Sequence, residues 1–539
     1  MVERFKLTQA RFRCYPLFIE PEIQRNHHLY SEGTLSWVFH SVVGVYGELP
    51  TRWWHRERQA TTWEAYLTAN KKFSELVVEL YNEGDIVWVQ GHELLLLPSF
   101  LARKLRSRQV KVGLFLHVPF PSSELFRTLS VSDELLRSML CADHIGFHIF
   151  EYARHFLACC RRILGLPFYS EKGGFLGVDV QGRHVVVTVC HAGIEPSFVT
   201  SRLQREGVKQ IEGGYRAIAR GEAPPGGGDT EFSGALRSAA EEEFDRACGC
   251  TCEVTSECEC GARTERARTR SMSEDSQASA EAAAAVSAVV RRPAAASGGE
   301  ADHGEAGAAA AAAAVRSPEA VAAAAVVAAG QRIIVAGVDK MSGLTGLHFK
   351  FVAFERLLRR HPEWRDRVCF VQIAVRPRVG LSGARSTQQR RDLSNIRSKI
   401  DAIVERVNRE LHTSSGQPTI FFEEVEHCTL DQRVGLFSAA NVFVSTPLRE
   451  GMCLYTFEFI STKAAQRENS LVQGASPELR PVVVLSEFSA TARVLSGALR
   501  VNPWSRDEFE TVLLRALSME LGERRARNPV GSKSVALRQ

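Results

Sequence analysis

The stretch Thr446–Phe459, TPLREGMCLYTFEF, follows the apolar run AANVFVS. It sets an acid and a glycine, Glu450 and Gly451, where a strand should hand over to a helix, and a second acid, Glu458, within that helix. Four more residues stand just after apolar runs: His117 closes GLFLH, Gly193 closes VTVCHAG, Lys340 follows IIVAGVD and Arg378 follows VQIAVRP. In α/β proteins ligands bind at the carboxyl ends of strands. The chemistry open to this set is therefore contact with a ligand held in a cleft. Singly, a glycine there makes a turn and a polar residue caps a helix; the joint placement carries the functional reading.

A second constellation is Cys248, Cys250, Cys252, Cys258 and Cys260, in CGCTCEVTSECEC. Zinc modules favour C-x2–4-C pairs with a second pair farther on. Alternating C-x-C inside a low-complexity stretch reads instead as an exposed thiol cluster, and no metal site is expected. The other eight cysteines, such as Cys141, Cys369 and Cys428, lie in apolar or ordinary stretches and read as free thiols in a reducing compartment.

The elements that must position these residues alternate in type. GDIVWVQ (84–90), VKVGLFLHV (110–118), DHIGFHI (143–149) and RHVVVTVCHAG (183–193) read as strands; residues 62–82 read as a helix with an apolar stripe at Ala65, Leu67, Phe73 and Leu76. The rhythm returns in RIIVAGV (332–338), VCFVQIAV (368–375), TIFFEEV (419–425), NVFVSTP (441–447) and PVVVLSEF (481–488). Near-continuous apolar strands joined by helices predict parallel sheets covered on both faces. Between the halves the chain turns Ala-, Gly-, Glu- and Ser-rich and cannot bury enough apolar area to offset its ordering entropy. The expected division is an N-terminal domain (1–207), an insertion (208–330), a C-terminal domain (331–515) and a loose tail (516–539).

Composition is that of a globular protein, 45% hydrophobic and 24% charged. A net charge of +5 is too small to predict nucleic acid or an anionic membrane as partner. No apolar run is long enough to span a bilayer, and MVERFKLTQARFRC lacks a secretory core. The expectation is a cytoplasmic protein.

GLFLHVPFPSSELFRTLSVSDELLRSMLCADHIGFHIFEYARHFLACCRRILGL resembles the trehalose-6-phosphate synthase family, most of all the synthase-like halves of plant bifunctional proteins. WEAYLTANKKF, HPEWRDRVCFVQIA, REGM and SGALRVNPW extend the resemblance over nearly all of the chain outside the insertion. It implies an α/β GT-B glycosyltransferase fold, two Rossmann-like domains facing a cleft. It also implies metal-free, cofactor-free, retaining transfer of glucose from UDP-glucose to glucose-6-phosphate. On that chemistry the leaving diphosphate must be met by fixed cations and helix N-termini. Glu450 and His117 then take the catalytic positions; Gly193, Lys340, Arg378, Gly451, Met452, Leu454 and Glu458 take the donor side, with Glu458 on the ribose hydroxyls.

The chain departs from the family pattern at several of these positions. The family's Arg-Leu-Asp-Tyr-x-Lys-Gly-Leu reads Lys340, Met341, Ser342, Gly343, Leu344, Thr345, Gly346, Leu347 here, so an arginine has become a lysine and a lysine a threonine. Glu450 replaces an aspartate and Cys453 an amide. On the acceptor side VWVQGHEL puts Gly91 at the family's aspartate, beside Gln90, His92 and Glu93. The family's acceptor-side Tyr and Trp meet Asn26, His27 and Ser36, with Trp37 one place away. The family's first strand and glycine-rich loop would precede Met1, and no Asp-x-Asp-x-Thr phosphatase motif follows the synthase-like region. Three readings follow: a synthase-like protein of trehalose biosynthesis with a degraded site, a non-catalytic regulatory or sugar-phosphate-binding homologue, and a glycosyltransferase with a changed acceptor. UDP-glucose, glucose-6-phosphate and homologous synthase or phosphatase subunits are the partners the resemblance implies.

Overall fold

The computed structural model describes residues 13–42, 56–105, 110–170, 176–222, 331–377, 387–472 and 481–527. Arg378 and the cysteine cluster at 248–260 lie outside them. Two six-stranded sheets form. The first contains β1 (Ile86–Gln90), β2 (Lys111–Leu116), β3 (His144–Phe147), β4 (Phe168–Ser170), β5 (Leu176–Val180) and β6 (Arg183–Val189), in the order β1-β2-β3-β6-β5-β4. The second contains β7 (Ile333–Lys340), β8 (Val368–Val375), β9 (Ile420–Val425), β10 (Val442–Ser445), β11 (Val482–Ser486) and β12 (Leu499–Val501), in the order β12-β11-β10-β7-β8-β9.

Every pairing in the second sheet is parallel. Its strands are buried throughout β10 and β11 and up to Asp339 in β7, as helices on both faces require. The first sheet departs from the all-parallel expectation: β4 and β5 are antiparallel. Gln181 and Gly182, both with positive φ, make the two-residue turn that lets β5 fold back on β6.

Strand order in the second sheet reverses between β7 and β10, which pair directly. Such a switch point opens a crevice at the carboxyl ends of the two strands. Lys340 ends β7, and the segment carrying Glu450 and Gly451 follows β10.

Two expected boundaries move. Residues 208–220, assigned by composition to the insertion, belong to the helix Glu206–Arg220. Ile211, Tyr215, Ile218 and Ala219 enter the core beside Ile334, Val371 and Phe437. The Arg332 guanidinium fastens that helix's end by donating to the Ile218 carbonyl at 2.6 Å and the Pro418 carbonyl at 2.7 Å. The apolar residues recur at helical spacing, and burying one such side chain is worth about 1.5–3 kcal/mol. The tail also begins later than 516. The helix Arg506–Ser518 carries buried Leu513, Ala516 and Leu517, and the guanidinium of buried Arg524 donates to the carbonyls of Met519 (2.9 Å) and Ala516 (3.3 Å). An arginine there satisfies carbonyls that a helix end leaves unpaired.

The helix Arg56–Leu80 buries Thr62, Ala65, Tyr66, Ala69, Asn70 and Ser74. Of the expected stripe only Ala65 is fully buried, and Leu67, Phe73 and Leu76 sit at its margin. Polar Tyr66 and Asn70 take the centre because they hold the loop after β1. Cys141, Cys159, Cys160, Cys190, Cys369, Cys428 and Cys453 are free thiols, and no described helix is long and apolar enough to cross a membrane.

Candidate active site

The corner after β10 is built by close approach. A Cβ on Gly451 would run into the His117 carbonyl oxygen, so only glycine lets this corner meet the end of β2 in the first domain. Gly346 has φ +66° and lies against the Thr446 carbonyl, which seats the loop after β7 on the loop after β10. The Tyr152 hydroxyl donates to the Glu450 carbonyl at 3.0 Å, and the Ala490 amide donates to the Gly451 carbonyl at 3.1 Å. Cys453 NH donates to Thr491 Oγ1 at 2.8 Å, and that hydroxyl faces Met452 Sδ at 3.4 Å. Met452 packs against the apolar clusters of both domains. Leu454 opens the helix Leu454–Val472 and packs beneath it.

Glu450 is partly buried at this edge. Burial, with the Asp339 carboxylate adding repulsion against the partial offset of Lys340 and Lys350, pushes its pKa up from 4.5 to about 7. The folded state thus holds a proton that the unfolded chain releases near pH 4.5. Stability falls across that interval, and the penalty is complete above about pH 7. Glu450→Gln removes the penalty. Its melting temperature should match the parent's near pH 4.5 and exceed it at pH 8. A gap that is constant with pH would contradict the assignment.

Of the residues expected on the donor side, Lys340 is exposed at the end of β7 and makes no ion pair among the described residues. Thr345, where the family carries lysine, turns its hydroxyl back to the carbonyls of Ser342 (2.7 Å) and Lys340 (3.0 Å). Glu458 is 8% exposed and fully engaged. Arg433 grips it bidentately, Nε to Oε2 at 2.7 Å and NH2 to Oε1 at 3.0 Å, with its guanidinium over the Tyr455 ring.

His117 is also internally engaged. The Ala192 amide donates to His148 Nδ1 at 3.2 Å. That bond assigns the His148 proton to Nε2, which donates to His117 Nδ1 at 3.3 Å. His117 Nε2–H then donates to Gln90 Oε1 at 2.7 Å. Both rings are neutral: burial takes His148 down to about 3 and lowers His117. Gly193 lies buried in the segment that carries Ala192.

Of the residues expected on the acceptor side, Gly91 has φ +83°, and the space a Cβ would need is held by the Glu93 carboxylate. Glu93 therefore stands where a side chain at 91 would begin. The Asn70 amide donates to the Glu93 carbonyl at 3.2 Å, and His27 Nε2 lies 3.0 Å from the same oxygen. His27 stacks on Tyr66. Ser36 sits at hydrogen-bond distance from His40 Nδ1, 3.3 Å. Burial first, with His92, Arg449 and Lys340 pressing on it, takes His40 down to about 4. His40 and Arg449 were not singled out by sequence. Arg449 Nε is buried without a hydrogen-bond partner.

The chain matches the profile of Glycosyltransferase family 20 over residues 3–214 and 320–538. It belongs to glycosyltransferase family 20. Among family-20 relatives, an Arabidopsis thaliana alpha,alpha-trehalose-phosphate synthase [UDP-forming] is 28% identical over 529 residues, covering 97% of this chain and 46% of the relative. The chain thus spans about half the length of the curated relatives it matches. A Burkholderia xenovorans alpha,alpha-trehalose-phosphate synthase in complex with glucose-6-phosphate superposes with TM-score 0.60 at 21% identity, covering 95% of this chain and 81% of that one. An E. coli trehalose-6-phosphate structure bound with UDP-2-fluoro glucose gives TM-score 0.59 at 20% identity, covering 95% and 80%. The fold is therefore GT-B, and the resemblance read from the sequence holds at the level of family and fold.

Of the expected site residues, the structure brings Gly451 against His117 and sets Glu450 within electrostatic reach of Lys340 and Asp339. Sequence reasoning missed Arg433 and His148, because a partner on another helix or a neighbouring strand has no signature in linear spacing. Gln90 carried a signal, since it was visibly changed beside Gly91.

Proposed function

We propose that the chain is a trehalose-6-phosphate synthase-like protein of trehalose biosynthesis whose site is degraded, with little or no glucosyl transfer from UDP-glucose to glucose-6-phosphate. The observation that carries this reading is the fork between Arg433 and Glu458. The carboxylate that the resemblance assigns to ribose is buried, and each of its oxygens already accepts a charged hydrogen bond from Arg433. Thr345 points the same way: it supplies no charge, and its hydroxyl is spent on its own loop. A non-catalytic, sugar-phosphate-binding role is the consequence in solution. A changed acceptor is the second reading, favoured by the Glu93 carboxylate in the space beside Gly91.

Calorimetric titration with UDP tests the donor side. The unaltered chain should bind no tighter than about 1 mM. Arg433→Gln, which frees Glu458 while keeping a polar partner beside it, should bind at least about tenfold tighter. Micromolar affinity in the unaltered chain, with no gain in the variant, would overturn the reading.

A further inference from the structure

We propose that Glu32, His92 and Glu93 hold a divalent transition-metal ion, of which zinc is the best match, beside the loop that follows β1. One ligand atom from each of the three residues lies within 4.8 Å of the others. His92 is 5% exposed, and its Nε2 is buried without a hydrogen-bond partner. That nitrogen faces Glu32 Oε1 at 3.7 Å, too far for a hydrogen bond. A nitrogen and an oxygen each bound at roughly 2.1 Å to one ion at about 120° stand ~3.6 Å apart, so the gap is the size of an ion.

The charge balance points the same way. Glu32 Oε1 faces His92 Nε2, and Glu93 Oε2 lies 3.7 Å from Nδ1 of the same ring. Among the described residues neither carboxylate is paired with a lysine or arginine. A buried imidazole beside two carboxylates that have no lysine or arginine partner is a suitable donor set for a cation. One imidazole and two carboxylates suit zinc better than calcium or magnesium, which take oxygen alone.

The ligands are also held in place. The Tyr66 hydroxyl donates to the His92 carbonyl at 2.8 Å and accepts from Leu95 NH at 3.0 Å, while Asn70 bonds the Glu93 carbonyl and the Leu96 amide. Glu32 lies in the π-helical turn Ser31–Leu35, a break in helical register of the sort that re-aims side chains. Glu32 and Glu93 keep exposed ends, with side chains 42% and 44% accessible, so both can close on an ion. Three protein ligands leave a position open for an oxygen donor. The proposal stands independently of the donor-site reading, since none of its ligands lies in the second domain.

The test is zinc titration of the full chain by calorimetry after alkylation of its accessible thiols, so that no cysteine thiolate can take up the ion. One zinc ion per chain is expected. Affinity should fall at least about a hundredfold in His92→Gln and about tenfold in Glu32→Gln. Glu32 is part-exposed, so its variant keeps the fold and decides the matter if His92→Gln fails to fold, as circular dichroism will show. Absence of zinc uptake, or uptake equal in parent and Glu32→Gln, would overturn the proposal.

Discussion

Turnover of UDP-glucose with glucose-6-phosphate by the unaltered chain should fall at least about four powers of ten below that of a complete family enzyme. The leaving diphosphate must be met by fixed positive charge. Of the positions the resemblance assigns to the donor phosphates, Lys340 is a single-point lysine in place of a bidentate arginine, and a self-bonded Thr345 stands in place of a lysine. Losing one such charge-stabilising donor costs roughly two or three powers of ten. Misorientation of the acceptor can cost another hundredfold, and Gly91 supplies no carboxylate of its own. His117 is a neutral ring whose Nε2 proton is committed to Gln90, so it would have to break that bond to meet a sugar hydroxyl.

The measurement is UDP release with glucose-6-phosphate as acceptor. Lys340→Arg with Thr345→Lys and Gln90→His is the repair to compare. Gly91→Asp is not a repair by itself: its Cβ would displace Glu93, and its positive φ costs an L-residue about 1–2 kcal/mol. That variant should lose melting temperature without gaining activity unless Glu93 is shortened too. Robust turnover by the unaltered chain would sink the degraded-site reading.

The second large effect concerns the support beneath the donor loop. Lys350 is fully buried and bonds Asp339 Oδ2, the Val444 carbonyl at 2.8 Å and Gln372 Oε1 at 3.4 Å; Gln372 Nε2 returns to Asp339 at 2.9 Å. The network joins β7, β8 and β10 just below the switch point. Asp339→Ala leaves an uncompensated ammonium in the core and should cost about 3–5 kcal/mol of stability. Asp339→Leu combined with Lys350→Met should recover most of it, because the charge and its desolvation leave together. Urea unfolding of the three chains settles the point. A single-variant loss under about 1 kcal/mol would mean that the pair does not hold this end of the sheet. Asp339 also raises Glu450, so the pH response of Glu450 should weaken in Asp339→Ala.

The nine apolar runs read as strands all form strands, because short runs rich in Val, Ile and Phe bounded by turn residues favour extended backbone. The sequence also determined the family, through runs such as GLFLHVPFPSSE, and the corner at Glu450–Gly451, where a strand end, an acid and a glycine stand in one line. It did not mark β4, β5 or β12, which are too short to carry periodicity, nor place Glu206–Arg220 in the second domain's core, since its Gly- and Ala-bearing composition masked a helical stripe.

Tertiary structure decided which of the legible side chains are available. Arg433 reaches Glu458 from a separate helix, Gln90 on the neighbouring strand accepts the His117 Nε2–H hydrogen bond, and Glu93 folds over Gly91. Local sequence fixes where a functional group enters a site, because strand ends and glycines are local features. Whether that group is free depends on hydrogen bonds and charges from residues distant in the chain, and only packing brings those together.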